Sequence, residues 1–109
     1  MSIQDKLSKV GVALNTQLGN IVYHYWRPVK TAPMCIWQED GENSFRADTR
    51  SREQGITGTV DYYTQTEYDP NVDKVQTALN KVCSNWNINS VQYEDDTKLI
   101  HYEWTFTVI

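Results

Sequence analysis

The sequence contains no apolar run approaching the roughly 18 residues that a membrane-spanning helix needs, so no membrane span is expected. Its start, MSIQDKLSKVGVALNTQL, lacks the continuous apolar stretch of a signal peptide, because its apolar residues are spaced helically among charges. Only two cysteines occur, Cys35 and Cys83, with no second pair to complete a metal knuckle. A disulfide between them is one reading. Two isolated buried thiols in a reducing compartment is the reading favoured, and it makes the chain a cytosolic product. Histidine is equally scarce, with only His24 and His101. No phosphate-binding glycine loop, H-E-x-x-H, C-x-x-C or G-x-S-x-G pattern is present. The expectation is therefore no catalytic set, no cofactor and no enzyme.

What is present suits one domain spanning residues 1–109, since 39% of the 109 residues are hydrophobic and the chain has the length of a common single domain. Ten basic against fourteen acidic side chains give a net charge of −4. Such a balance disfavours coating of DNA, which requires a strongly positive surface to displace counterions. The charge is split along the chain. Residues 1–52 carry seven basic and five acidic groups, and residues 53–109 carry three and nine, so the halves stand at +2 and −6. The first half is thus suited to an acidic partner that the second half would repel.

Ile3, Leu7, Val10, Leu14 and Leu18 form one stripe of an amphipathic helix, with Ser2 placed to cap its start and Gly19-Asn20 to stop it. Residues 21–27, IVYHYWR, read as a short strand ended by Pro28. A second strand follows Pro33 in MCIWQED. The polar stretch 40–55, DGENSFRADTRSREQG, reads as a long loop. Residues 56–67 read as a strand with Ile56, Gly58, Val60, Tyr62 and Thr64 on one face and Thr57, Thr59, Asp61, Tyr63 and Gln65 on the other. Asp69-Pro70 suits a helix start, and Val72, Val75, Leu79, Val82, Cys83 and Trp86 give the helix that follows its buried stripe. A hairpin closes the chain, SVQYE and KLIHYEWTFTVI around Asp95-Asp96-Thr97. Its last strand sets Ile100, Tyr102, Trp104, Phe106 and Val108 against Leu99, His101, Glu103, Thr105 and Thr107. The order α-β-β-β-α-β-β predicts an α+β fold, a mainly antiparallel sheet covered on one side by two helices.

His101 and Glu103 share a strand face, but two ligands from one strand do not make a metal site, so none is expected. Both histidines read as partly buried structural groups. The acid clusters Glu39-Asp40-Glu42 and Glu94-Asp95-Asp96 read as turn chemistry and solvation. Arg46, Arg50 and Arg52, with Asp48 among them and Phe45 beside them, read either as a solvated loop or as an arm that orders against the acidic surface of a neighbouring subunit. A head-to-tail contact of that kind closes into a ring when the rotation per subunit permits. Four Trp and seven Tyr exceed what so small a core easily hides, and Trp26, Trp37, Tyr63 and Tyr93 are candidates for a contact surface.

The order of elements, and above all GTVDYYTQTEYDP leading through a helix into INSVQYEDDTKLIHYEWTFTV, resembles the tail-terminator (tail-completion) proteins of long-tailed, non-contractile phages and prophages. The resemblance covers most of the chain, and it is one of shape rather than of catalytic signatures. It implies a virion protein, assembled in the host cytoplasm, that forms a ring of six copies on the head-proximal end of the tail tube. That ring stops tube polymerisation and joins tail to head. The implied partners are the protein itself, the tail tube protein and a head-tail connector protein, with no membrane and no sequence-specific DNA contact as the genome passes. Under this reading Phe45, Arg46, Asp48, Arg50 and Arg52 contribute a subunit or tube interface. Asp61, Glu94, Asp95 and Asp96 are candidate lumen-facing acids that would keep DNA from sticking. Two alternatives stand beside it: a head-completion or connector-stopper protein, and a small α+β ligand-binding domain whose pocket includes His24 or His101.

Overall fold

A computed structural model describes residues 2–26, 31–45 and 53–109, with side chains for all of these except 43–45 and 53. In chain order the elements are α1 (Ile3–Leu18), a short 3-10 turn (Gly19–Ile21), β1 (Val22–His24), β2 (Met34–Phe45), β3 (Glu53–Thr64), α2 (Pro70–Val82), β4 (Asn85–Glu94) and β5 (Leu99–Val108). The strands form one sheet in the order β1-β2-β3-β5-β4. β1 runs parallel to β2 and every other pairing is antiparallel, which is the expected α+β arrangement. No helix among the described residues is long and apolar enough to cross a membrane.

Each helix begins where its sequence provides a cap. The Ser2 hydroxyl accepts from the Asp5 N–H at 3.1 Å and the Asp5 carboxylate accepts from the Ser2 N–H, a reciprocal pair that satisfies two otherwise orphaned donors. Gly19 ends the helix at φ 74°, a conformation that other residues adopt only with strain. α2 starts at Asp69 with Pro70 in its first position. Leu7, Val10, Ala13 and Leu14 of α1 and Val75, Ala78 and Leu79 of α2 are buried against one face of the sheet. There they meet Cys35, Trp37, Ile56, Val60, Tyr62, Trp104, Phe106 and Val108. The opposite face carries a small cluster of its own, Met34, Ile36 and Leu99, flanked by Tyr23, Ala32 and Tyr63.

Two close approaches set this packing. Gly11 lets α1 lie against Trp37, since a Cβ there would sit 3.2 Å from the indole. Gly58 is tighter still: a Cβ would meet the Phe106 ring at 2.3 Å and the Gln38 carbonyl at 2.5 Å. Trp37 is therefore core, not contact surface, while Trp26 and Tyr93 are exposed.

Several boundaries differ from the sequence expectation: β3 ends at Thr64 and β4 begins at Asn85, and three further differences have clear causes. The stretch 40–55 is not all loop, because the β2–β3 ladder runs on through Gly41↔Thr57 to Phe45↔Glu53 and leaves only 46–52 outside the described residues. A bulge between Glu39 and Gly41 leaves Asp40, on the uncovered face, without a ladder partner. Its carboxylate accepts from the Thr57 and Thr59 hydroxyls, and Gln54 donates to Glu42, so polar residues are paired within the sheet. The first strand is shorter than expected, since Tyr25 turns out of the ladder at φ 75°. The second helix stops at Val82. Cys83 takes an extended backbone, the Ser84 N–H is captured by the Thr107 carbonyl at 2.9 Å, and Trp86 lies in β4 opposite Phe106. β4 itself is broken by a bulge between Ile88 and Ser90, and no described strand pairs with its far side.

Gly58→Ala is expected to destabilise the fold by about 2 kcal/mol in urea denaturation, because one clashing atom is backbone and cannot move aside. Leu79→Asp places an unpaired charge at a fully buried position and should abolish the cooperative transition altogether.

Candidate functional site

The strict alternation of β3 and β5 sends every second side chain to the face the helices do not cover. The register sets Asp61 opposite Glu103 and Tyr63 opposite His101. The His101 ring stacks on Tyr63 with centroids 4.3 Å apart. Its Nε2 lies 2.7 Å from Asp61 Oδ1 and its Nδ1 3.5 Å from Oε2 of Glu94, at the end of β4. The Asn89 amide donates to Glu103 Oε2 at 2.9 Å. Donor atoms of Asp61, His101 and Glu103 all fall within 4.8 Å of one another. Burial raises the Asp61 carboxyl above its ordinary value; the Glu103 charge adds to the rise and the His101 bond opposes it.

This cluster assembles what the sequence left apart. His101 and Glu103 were two ligands on one strand; Asp61 arrives from β3 as a third group. Strand parity placed each of them on a face, but the pairing of β3 with β5 across 40 positions was not readable. Of the four candidate acids, Asp61 and Glu94 join the cluster, while Asp95 and Asp96 lie exposed in the turn before β5. Phe45 ends β2 opposite Glu53. Arg46, Asp48, Arg50 and Arg52 lie outside the described residues.

His24 occupies the other face, at the β1 edge. It stacks between Trp37 and Tyr25 and binds Glu39 at 2.8 Å, beside a shallow groove of about 330 Å³ that runs along α1 past Leu7 and Gly11. Glu39 also accepts from the Tyr25 hydroxyl. Burial pushes the Glu39 carboxyl up, but the two hydrogen bonds outweigh it and the net shift is downward. Both cysteines are free thiols; burial pushes Cys83 up to about 12 and Cys35 higher, which leaves neither a nucleophile at neutral pH. Asp69 gathers a dense polar network. Its carboxylate accepts from the Tyr62 hydroxyl at 2.6 Å, the Thr64 hydroxyl at 2.7 Å and the Asn71 N–H at 2.9 Å, tying β3 to the start of α2. On β4 the apolar side chains Ile88, Val91 and Tyr93 are about half exposed.

No known protein family's profile matches the chain, and no curated protein matches it. Among solved structures, a chain described as "Virion of native gene transfer agent (GTA) particle" is similar with a TM-score of 0.59 over 98% of this chain and 92% of that one, at 10% identity. A likeness at that identity shows a shared fold.

The Asp69 network predicts a pH dependence. Burial raises its carboxyl, but the bonds from Tyr62, Asn71 and Thr64 prevail and hold it below the ordinary 3.8. A depressed folded value means that these bonds stabilise fully above the unfolded value and are lost as pH falls through the folded one. Asp69→Ala should therefore cost about 2 kcal/mol at pH 7 in urea denaturation, with the gap to the parent narrowing as the solution is acidified below the ordinary value.

Proposed function

We propose that this protein is a virion structural component that forms a ring at the head-proximal end of a phage-type tail tube, ends tube growth and joins the tail to the head. The observation that carries this reading is the shared fold with a chain of a gene transfer agent virion, along nearly the whole length of both. Three further features support it. The chain lacks catalytic motifs, its two halves differ in sign of charge, and Ile88, Val91, Tyr93 and Trp26 offer apolar surface to a neighbour. In this reading the segment from Phe45 to Arg52 reaches an acidic surface of the next subunit. The tube protein and a head-tail connector then dock on opposite sides of the ring. Asp61, Glu94, Asp95 and Asp96 belong to the acidic half, which suits a channel past which DNA slides without sticking.

Native mass spectrometry across concentration and salt should find a closed ring of about six copies, alone or on addition of tube protein. Replacing Arg46, Arg50 and Arg52 together with Glu should leave the subunit folded and block assembly; intact rings and infectivity in that variant would sink the arm assignment. Electron microscopy of a lysate lacking the protein separates the roles. Over-long tails detached from full heads fit a terminator, and normal free tails beside leaking heads fit a head-completion protein instead.

A further inference from the structure

We propose that Asp61, His101 and Glu103 bind a divalent transition-metal ion of the zinc or cobalt class, with Glu94 orienting the histidine from behind. The inference does not rest on the virion reading.

The histidine carries the argument. A neutral imidazole has one N–H and one lone pair, yet both ring nitrogens of His101 face carboxylates, Nε2 toward Asp61 and Nδ1 toward Glu94. Nε2 is in hydrogen-bond contact with Asp61 at 2.7 Å, whereas Nδ1, 3.5 Å from Glu94, is within ion-pair range only, so in the metal-free chain a proton on Nε2 completes the Asp61 contact. A divalent metal ion takes the place of that proton, bound by Nε2 and an Asp61 oxygen together. The Glu94 contact then becomes the carboxylate–histidine relay that fixes the tautomer and raises ligand basicity in metal sites.

Charge and geometry agree. Three carboxylates converge here, and among the described residues no lysine or arginine forms an ion pair with Asp61, Glu94 or Glu103. Ligand bonds of about 2.0–2.2 Å separate neighbouring donors by roughly 3–4 Å. The three donor atoms lie within 4.8 Å, so closure onto an ion asks for rotamer adjustments and not for movement of strands. Asn89 holds one Glu103 oxygen and the Tyr63 ring braces the imidazole. The donors project from β3 and β5, which lie inside the sheet and not at its edge. One imidazole nitrogen with two carboxylate oxygens suits zinc, cobalt or manganese; calcium would require more oxygen ligands. The side chains are 17% and 27% exposed for His101 and Asp61, which leaves remaining positions on the ion to water.

The test uses the full chain, free of affinity tag and stripped with chelator, titrated first with Co2+ and then with Zn2+. Saturable one-to-one binding is expected, with a cobalt visible spectrum and paramagnetic broadening centred on Tyr63 and Glu103. His101→Gln, Asp61→Asn and Glu103→Gln should each weaken binding at least ~10-fold, Glu94→Gln should weaken it by a similar factor, and His24→Gln should leave it unchanged. Circular dichroism checks that each variant folds; should His101→Gln not fold, the Glu103 and Asp61 variants decide. Absence of saturable binding by the parent protein would overturn the proposal and leave a proton as the group between His101 Nε2 and Asp61. Binding that survives all three ligand changes, or that disappears with His24, would overturn it as well.

Discussion

Val60 and Trp104 face each other across β3 and β5, both without exposed surface, and the Trp104 indole N–H reaches Gln76 of α2 at 3.1 Å. That pairing lies in the middle of the sheet and ties α2 to it. Side chains alternate with a period of two, so a slip of one residue would carry Trp104, Phe106 and Val108 away from the helices. The same slip would part Asp61 from Glu103 and Tyr63 from His101. Dry core and polar cluster are thus two consequences of a single register. The tight seat of Gly58 under Phe106 helps to fix it, because only a residue without a Cβ lets the ring lie there.

The features that could be read directly were those written in short-range patterns. The stripe Leu7-Val10-Leu14, the Ser2 and Asp69 caps, and the alternation of β3 and β5 are each set by residues within one element, and all are found. Trp86 misled for a physical reason. It fits the helical spacing of α2, but it is partly buried because β4 brings it opposite Phe106 on the face that the helix also covers. The polar run after Glu39 misled because strand propensity ignores pairing partners. Asp40 is accommodated by a bulge and by two threonines that lie 17 and 19 positions away. His101 and Asp61 met only once the strand order was known, since neither local sequence announces the other.

The two faces of the sheet divide the labour of the molecule. One is sealed by α1 and α2 and holds the aromatic and aliphatic mass. The other bears hydroxyls, carboxylates and the His101–Tyr63 stack around a small apolar cluster. Lys6 links the two halves of the structure in another way. Its buried amine leaves α1 to donate to the Gln54 carbonyl at 2.6 Å and so ties the β2–β3 ladder, near its turn end, to the helix layer.

The bulge in β4 also sets a limit. A flat strand of ten residues at the margin of a sheet would offer an unbroken row of backbone donors and acceptors, the geometry on which fibrils extend by one chain after another. Here the row is cut between Ile88 and Ser90 into two short segments that twist apart. The interruption at Asn89 makes this margin a poorer template for an added strand than a flat edge of the same length.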